Sequence, residues 1–219
     1  MENSELLKLP FVEVEVRFGT FNNNKFDSDV DINYFKKINS ALENGTWKSI
    51  DKIFTKEYYK DQDKLRLIEF VNSEKEKILI MKENVVNKTI QLSKYPFDIR
   101  FSVNQEFFLN SYIESLRDPS GLRDPLSASG LRDPSETVLL REKCRHSYVS
   151  ENFKYDLTYV VQTCNNVKKE KHEIELEILQ NDETITWDSS YLNKFIECKI
   201  YDIINIIEPI ERKSFEITF

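Results

Sequence analysis

Residues 12–19 read Val-Glu-Val-Glu-Val-Arg-Phe-Gly, a strict alternation of apolar and charged side chains. Successive side chains of a β-strand point to opposite faces, so this stretch predicts a strand whose charged face carries Glu13, Glu15 and Arg17. Residues 172–178, His-Glu-Ile-Glu-Leu-Glu-Ile, repeat the pattern. The charged face of this second strand carries Glu173, Glu175 and Glu177. The two stretches together predict a sheet with one strongly charged face.

The same period of two recurs along most of the chain. It predicts further strands at residues 64–70, 97–103, 138–144 and 153–161, and shorter ones at 52–59, 78–82 and 88–92. Eight or nine strands with short connections are typical of an antiparallel sheet or barrel, whereas a parallel sheet would need a helix between most strands. The pattern therefore favours an antiparallel β fold.

Two segments have the period of a helix instead. Residues 31–44 carry apolar side chains three or four positions apart and are followed by Gly45, a common stop signal. Residues 190–207 begin after Asp188, end before Pro209 and carry a broad apolar stripe. We interpret both as helices that support the fold, which makes the chain mostly β with a few helices, an α+β arrangement.

A short unit, Leu-Arg-Asp-Pro, occurs three times between residues 116 and 134. Because so short a unit cannot bury a core, we interpret residues 115–136 as a flexible loop between two strands, with a partner-binding tract as the alternative. The whole chain, residues 1–219, is expected to form a single domain around this loop, since 40% hydrophobic content at this length suffices for one core.

Composition limits the possible functions. A formal net charge of −7, with 32% charged residues, excludes a uniformly basic nucleic-acid-binding surface. Three cysteines without C-x-x-C spacing argue against a disulfide framework or a structural zinc site and predict a reducing compartment. No apolar run approaches the length of a membrane span, and the first residues lack the pattern of a signal peptide. We therefore expect an intracellular, cytoplasmic protein.

The two acidic strands are candidates for chemistry. Glutamates two positions apart on a strand lie about 6.5–7 Å apart and repel each other. One such strand is usually an ordinary half-exposed strand with solvated glutamates, and that interpretation stays open here. Two acidic strands can also supply the hard oxygen ligands that Mg²⁺ or Mn²⁺ requires.

A third strand carries the opposite charge. Arg141, Lys143 and Arg145 alternate onto one face, and Arg100 lies in the strand predicted at residues 97–103. Guanidinium groups bind phosphate oxygens through paired hydrogen bonds and lysine acts as a compact point charge, so this face matches a triphosphate. An exposed basic face paired with acidic neighbours is the alternative. Both signs of charge fit the interior of a closed barrel of about eight strands whose apolar faces point outwards.

These motifs resemble the triphosphate tunnel metalloenzymes and, among them, the RNA triphosphatases of fungal and large-DNA-virus capping systems. Five motifs occur in the family's order: the two acidic strands, residues 97–106 with Arg100 and Glu106, Arg-x-Lys-x-Arg-x-Ser-Tyr at residues 141–148, and residues 155–158 with Asp156. The resemblance implies a closed antiparallel eight-stranded β-barrel with a hydrophilic interior, the triphosphate tunnel, and helices packed outside.

The resemblance also implies roles for individual residues. The ligands of the divalent cation, Mg²⁺ or Mn²⁺, would be Glu13, Glu15 and Glu177. The γ-phosphate would be held by Arg100, Lys143 and Arg145, with Arg66 and Arg141 as further phosphate contacts. Glu173 and Glu175 would orient the attacking water or the basic side chains, and Asp156 would brace an arginine. His146 and His172 would point away from the interior because of the strand alternation.

The implied activity is hydrolysis of the γ-phosphate of 5′-triphosphate RNA, and of nucleoside triphosphates, which leaves a 5′-diphosphate end for mRNA capping. The alternatives are an inorganic or organic triphosphatase or a polyphosphate-handling enzyme of the same fold, a non-catalytic triphosphate-binding module, and an unrelated barrel with exposed charges.

Guanylyltransferase and methyltransferase activities are expected elsewhere, because the chain has no Lys-x-Asp-Gly motif of nucleotidyl transfer. They would lie in a partner chain or in a longer capping enzyme of which this is the N-terminal domain. Frequent Asn, Lys and Ile, together with the resemblance, predict a giant virus of the mimivirus kind as the source. The location would then be a viral factory or the virion.

Overall fold

The structure, a computed structural model, describes residues 10–60, 65–71, 77–109 and 138–211. Its strands are β1 (Val12–Asn22), β2 (Lys25–Asp27), β3 (Ser49–Lys60), β4 (Leu65–Phe70), β5 (Lys77–Ile90), β6 (Asp98–Phe108), β7 (Val138–Val149), β8 (Phe153–Cys164) and β9 (Val167–Ile178). Its helices are α1 (Ile32–Glu43), a 3₁₀ turn (Thr184–Thr186) and α2 (Ser189–Ile207).

Eight of these strands close into an antiparallel barrel. Their order is β1-β6-β5-β4-β3-β7-β8-β9, and β9 pairs with β1 to complete the ring. In that closing pair, Glu15 lies opposite Glu177 and Arg17 lies opposite Glu175. The short β2 pairs with the end of β1 as a ninth strand. The predicted closed barrel is confirmed, and a barrel of eight strands is wide enough to hold one small ligand.

The apolar faces of the strands point outwards and are covered by the helices. Val14 and Val16 of β1 and Leu176 of β9 are at most 1% exposed. They belong to the same apolar cluster as Ile196 and Ile200 of α2. The main hydrophobic core therefore lies between the barrel wall and the helices, and the interior of the barrel is left for polar side chains.

Both predicted helices are present, and their ends agree with the prediction within two residues. The side chain of Asp31 accepts a hydrogen bond from the backbone N–H of Asn33 at the start of α1, and Asp188 does the same for Tyr191 at the start of α2. Such N-caps satisfy backbone donors that have no partner within the helix. None of the described helices is long and apolar enough to cross a membrane.

One prediction about the strands is wrong. Residues 78–82 and 88–90, from the two short strands predicted at 78–82 and 88–92, belong to the single strand β5, and residues 91–92 lie beyond its end. The register shifts between Asn84 and Val86, and this irregularity interrupts the alternation on which the prediction rested. Residues 115–136, predicted as a flexible loop, and residue 64, the predicted start of β4, lie outside the described residues. The assignment of residues 1–219 to one domain stays a prediction.

Candidate active site

The charged faces of the strands line the barrel interior, which we call the lumen. Register aligns these faces on neighbouring strands: Glu13, Glu15 and Arg17 of β1 lie opposite Asn104, Ser102 and Arg100 of β6, respectively. The lumen brings together all the predicted site residues, which are Glu13, Glu15, Arg66, Arg100, Arg141, Lys143, Arg145, Asp156, Glu173, Glu175 and Glu177. The two histidines lie outside it, and His172 packs against the rings of Phe35 and Tyr159.

The three predicted metal ligands lie on the adjacent strands β1 and β9. Burial raises the pKa of Glu15, and the carboxylate of Glu13 raises it further. Burial also raises the pKa of Glu177 to about 7, with additional contributions from Glu13 and Asp156. These shifts mean that burial and neighbouring carboxylates disfavour the ionised forms of Glu15 and Glu177, which a bound cation would favour.

Two lysines that the sequence analysis missed contact these carboxylates. The ammonium group of Lys82 on β5 bonds to Glu13 and lies 3.7 Å from a carboxylate oxygen of Glu15. Lys154 on β8 lies 2.9 Å from Glu177. Among the residues that the structure describes, no three carboxylate, imidazole or thiolate groups converge on one point as metal ligands do. The three glutamates still offer hard carboxylate oxygens of the type that Mg²⁺ or Mn²⁺ requires, although the ammonium groups of Lys82 and Lys154 contact them in this structure.

Lys143 of β7 forms the most deeply buried ion pair of the lumen with Glu57 of β3. Lys143 Nζ lies 2.7 Å from Glu57 Oε2, and the two side chains are 6% and 5% exposed. Glu57 also accepts a hydrogen bond from the hydroxyl of Tyr59 and lies 3.9 Å from Arg66. Burial alone would raise the pKa of Glu57, but the cations Lys143 and Arg66 lower it to about 2. Glu57 is therefore a fixed anion that holds Lys143 in place.

Arg145 of β7 is held by two carboxylates. It lies 3.4 Å from Asp156 and 3.8 Å from Glu175. Asp156 in turn accepts a hydrogen bond of 2.5 Å from Ser147, and Glu175 lies 2.9 Å from Arg17. Asp156 thus has the position expected of a side chain that braces an arginine. Burial would lower the pKa of Arg145, but Asp156 and Glu175 raise it well above its usual value, so the guanidinium stays charged.

The remaining predicted phosphate contacts are also ion-paired, with one exception. Arg141 lies 2.6 Å from Glu173, and Arg66 lies 3.1 Å from Glu106. Arg100 instead lies over the ring of Phe26, 4.5 Å from its centroid, and has no carboxylate partner within the described ranges. Burial and the neighbouring Arg17 lower the pKa of Arg100. The lumen therefore alternates cations and anions and leaves one cation without its counter-charge.

The lumen can bind a polyanion whose phosphate oxygens replace carboxylates as partners of the cations. Each of the ion-paired lumen cations is held in position by a carboxylate and can transfer hydrogen bonds from that carboxylate to a phosphate oxygen. Because the cations come from several strands, they surround an extended anion instead of binding it from one side. Sequence reasoning missed Glu57, Lys82 and Lys154, since none of them belongs to an alternating run of charges of one sign.

Comparisons with known proteins agree with this geometry. The chain matches the family model mRNA_triPase, described as "mRNA capping enzyme, beta chain", over residues 22–194. A search of the curated proteins finds no match. The chain has a fold similar to that of the S. pombe Pct1 RNA triphosphatase, with a TM-score of 0.65, 19% identity, and coverage of 95% of this chain and 90% of that one.

Two further solved structures share the fold. Pct1 in complex with the Spt5 CTD gives a TM-score of 0.59 at 17% identity, with coverage of 95% of this chain and 91% of that one. The Mimivirus capping enzyme triphosphatase gives 0.58 at 17% identity, with coverage of 93% and 94%. The match to the family model spans most of the chain. The chain therefore belongs to the mRNA triphosphatase family, the beta chain of mRNA capping enzymes, whose members are phosphohydrolases.

Proposed function

We propose that this RNA triphosphatase removes the γ-phosphate of 5′-triphosphate RNA with the help of a divalent cation, Mg²⁺ or Mn²⁺, held by Glu13, Glu15 and Glu177. The observation that carries the proposal is the charge pattern of the lumen. The carboxylates of Glu13, Glu15 and Glu177 on β1 and β9 line the same closed space as the cations of β7. A triphosphate bridged to a metal ion supplies the negative and positive charges that complement both sets.

The three glutamates would exchange their present contacts with Lys82 and Lys154 for the metal ion. When bound, a divalent cation polarises the γ-phosphoryl group and neutralises the charge that develops on it. The raised pKa values of Glu15 and Glu177 support this assignment, because a cation favours the ionised form that burial disfavours.

Lys143 and Arg145 would bind the oxygens of the γ-phosphate from β7. Glu57 and Asp156 hold these two cations before substrate arrives, so little reorganisation is needed when negative charge builds up in the transition state. Arg66, Arg100 and Arg141 would add contacts to the rest of the phosphate chain. Catalysis in this arrangement rests on positioning and charge stabilisation, as is usual for phosphoryl transfer.

Glu173 and Glu175 fit the role of organising the basic side chains better than that of a general base. Glu175 contacts Arg17 and Arg145, and Glu173 contacts Arg141. Burial alone would raise the pKa of Glu175, but Arg17 and Arg145 lower it well below its usual value. A carboxylate with so low a pKa accepts a proton poorly, whereas it orients a guanidinium well.

The same site would accept nucleoside triphosphates, since its contacts are to phosphates. The product, a 5′-diphosphate RNA end, would pass to guanylyltransferase and methyltransferase activities in a longer chain or a partner chain. We infer an intracellular location, because the proposed substrate is nascent RNA.

The test is release of labelled phosphate from RNA that carries the label at the γ position, with Mg²⁺, with Mn²⁺ and with a chelator. Glu15→Ala serves as the blank and should lose at least about 100-fold in rate, because it removes a metal ligand. Glu142→Ala is the matched control, since Glu142 also lies on a barrel strand but pairs with Lys56 at the outer surface.

Release of the γ-phosphate alone, dependent on the metal and lost in Glu15→Ala, is the expected result. Near-normal rates in Glu15→Ala would overturn the metal assignment. Binding of triphosphate RNA without release would identify a binding module instead. A strong preference for inorganic triphosphate would identify another triphosphatase of the same fold.

A further inference from the structure

The segment that contains β2 lies along one end of the lumen, beside the adjacent strands β1 and β9. It leaves the end of β1 and reaches β9, and three contacts hold it there: Lys171 to Asp27, Ser28 to Glu173, and the Val30 N–H to the carbonyl of His172. We call this end of the barrel, lined by Gly19, Phe26 and Arg100, the β2 mouth. The opposite mouth lies at the start of β1 and carries Phe11 and Phe108.

Gly19 lets the segment lie this close to the barrel wall. A Cβ atom at position 19 would lie 2.1 Å from the carbonyl oxygen of Asp27 and 2.8 Å from the ring of Phe26. Because Gly19 has no side chain, the Phe26 ring can lie on the inward-facing side of β1, beside Arg100. The result is a flat cationic surface, one phenyl ring against one guanidinium, that is half-buried at the β2 mouth.

Arg100 is positioned to receive an anion there. Within the residues that the structure describes, it is the only lumen cation without a carboxylate partner, and its Nε is buried without a hydrogen bond. Arg17 lies opposite Arg100 in the β1–β6 register, so two positive charges are close together at this level. Phosphate oxygens are the ligand that a guanidinium binds through paired hydrogen bonds.

The register fixes the order of groups along the lumen. Moving along β1 towards the β2 mouth, Glu13 comes first, then Glu15, and then Arg17 at the level of Arg100. Each step of two residues covers about 6.5–7 Å. A phosphate chain whose γ end lies at Glu13 and Glu15 would extend towards Arg100, and its nucleoside would emerge at Phe26.

We propose that the 5′ end of the RNA enters through the β2 mouth, where Arg100 binds the phosphates nearest the nucleoside and Phe26 stacks against the first base. The assignment rests on the proposed triphosphatase function and deepens it. It gives Arg100 the α and β phosphates in place of the γ-phosphate that the family resemblance implied. It also makes the Phe26–Arg100 surface a site for any base, since every base has a flat face to stack.

The opposite mouth also carries exposed aromatic rings. Phe11 and Phe108 pack edge to face with their ring centroids 5.9 Å apart, and both are largely exposed, at 60% and 49%. In the described part of the chain, no cation without a carboxylate partner accompanies them. Aromatic area is thus present at both ends, but unpaired positive charge is present at the β2 mouth alone among the described residues.

The experiment compares Phe26→Leu with Phe108→Leu, which removes the same ring from the opposite mouth. In each variant we would measure the KM for a short 5′-triphosphate oligoribonucleotide and the inhibition constant of inorganic triphosphate, which has no nucleoside. Loss of one base stack should raise the KM of Phe26→Leu about tenfold, with a rise of no more than about twofold in the inhibition constant. Phe26→Tyr keeps the ring and should restore the KM.

Equal increases in both constants for Phe26→Leu would overturn the proposal, because a general disturbance of the lumen would affect both ligands alike. A larger increase in the KM of Phe108→Leu would place the RNA at the opposite mouth. If the parent protein releases no phosphate, the proposed triphosphatase function is wrong, and this result does not decide which mouth binds the RNA. Equilibrium binding of the labelled triphosphate oligoribonucleotide to the same variants, with Mg²⁺, then tests the mouth assignment separately.

Discussion

Two neighbouring side chains on opposite faces of β1, Val14 and Glu15, are both buried, but by different physics. On β1, the outward Val14 is 1% exposed and the inward Glu15 is 5% exposed. The outer face gains free energy from apolar area removed from water, at about 25 cal/mol per Å². The inner face carries buried charges, whose desolvation costs free energy that ion pairs offset only when every partner is present. The outer face of these strands therefore carries stability, and the inner face carries the residues that we propose for catalysis.

This difference means that the two faces should respond to substitution in opposite ways. On the outer face, the size and shape of a side chain decide the effect, and any loss appears in the free energy of unfolding. On the inner face, the balance of charge decides the effect, and a substitution that restores neutrality recovers stability without recovering activity. Four changes test this difference, from the largest expected effect to the smallest.

The largest effect is expected for Lys143→Met on the inner face. Removal of this proposed phosphate contact should lower the rate of γ-phosphate release by about 100- to 1,000-fold. It also leaves Glu57 buried without its nearest cation and should lower the free energy of unfolding by about 3 kcal/mol. The double variant Lys143→Met/Glu57→Gln should regain most of that stability in urea denaturation but none of the activity. Recovery of activity in the double variant would contradict the separation of roles.

On the outer face, Leu176→Ala should act on stability alone. Leu176 is fully buried between β9 and the helices, so its truncation should cost about 2–5 kcal/mol in the free energy of unfolding. The turnover number per folded molecule should stay the same, as measured by phosphate release at a temperature where the variant is folded. Val167→Ala is the matched control, because Val167 on the same strand is 70% exposed and should change stability by less than about 0.5 kcal/mol.

Glu177 should make stability depend on pH in the absence of metal. Its pKa of about 7 in the folded state is above the usual 4.5, so the fold favours the protonated form. This contribution to stability is complete below about pH 4.5 and is lost as the pH rises through about 7. We expect a decrease on the order of 2 kcal/mol between pH 5 and pH 8 in urea denaturation with a chelator present.

Glu177→Gln should flatten that decrease, because glutamine does not titrate. Added Mg²⁺ should flatten it in the parent protein, since a bound cation favours the carboxylate. If the free energy of unfolding depended on pH in the same way in the parent and the variant, Glu177 would not be the group that causes this dependence.

The smallest effect is expected for Lys48→Ala. Lys48 lies 2.7 Å from Glu151, but the two side chains are 61% and 71% exposed. Water and salt screen such a pair, so its loss should cost no more than about 0.5 kcal/mol in the free energy of unfolding. A cost comparable to that of Lys143→Met would mean that burial does not distinguish the lumen pairs from the surface pairs.

The same contrast explains how far the sequence could predict the structure. Alternation of apolar and charged residues is a local property, and it was sufficient for β1, β7 and β9, whose inward faces carry Glu15, Lys143 and Glu175. It failed to join the two halves of β5, where the irregularity at Asn84 breaks the period. Periodicity within one strand does not show that a neighbouring strand supplies the counter-charge.

The partners of the predicted residues depend on register between strands. Glu57 is one carboxylate in a strand that also carries Lys52 and Lys56, so the sequence of β3 does not distinguish it from a surface residue. Its burial and its contact with Lys143 follow from the pairing of β3 with β7 and from closure of the barrel. Sequence reasoning could therefore name most of the cations and anions of the site, but not which of them pair.

Closure of the ring by β1 and β9 also has a consequence for how the protein is made. The first and last strands of the barrel are separated by most of the chain, so their pairing has a high contact order and can form only after β9 has left the ribosome. Until then, β1 presents an unpaired edge. Glu15 and Glu177, two of the proposed metal ligands, meet only across this last seam, so a molecule that has stalled before closure would lack the proposed metal site. The enzyme would thus acquire its activity in the same step in which it loses its exposed edges.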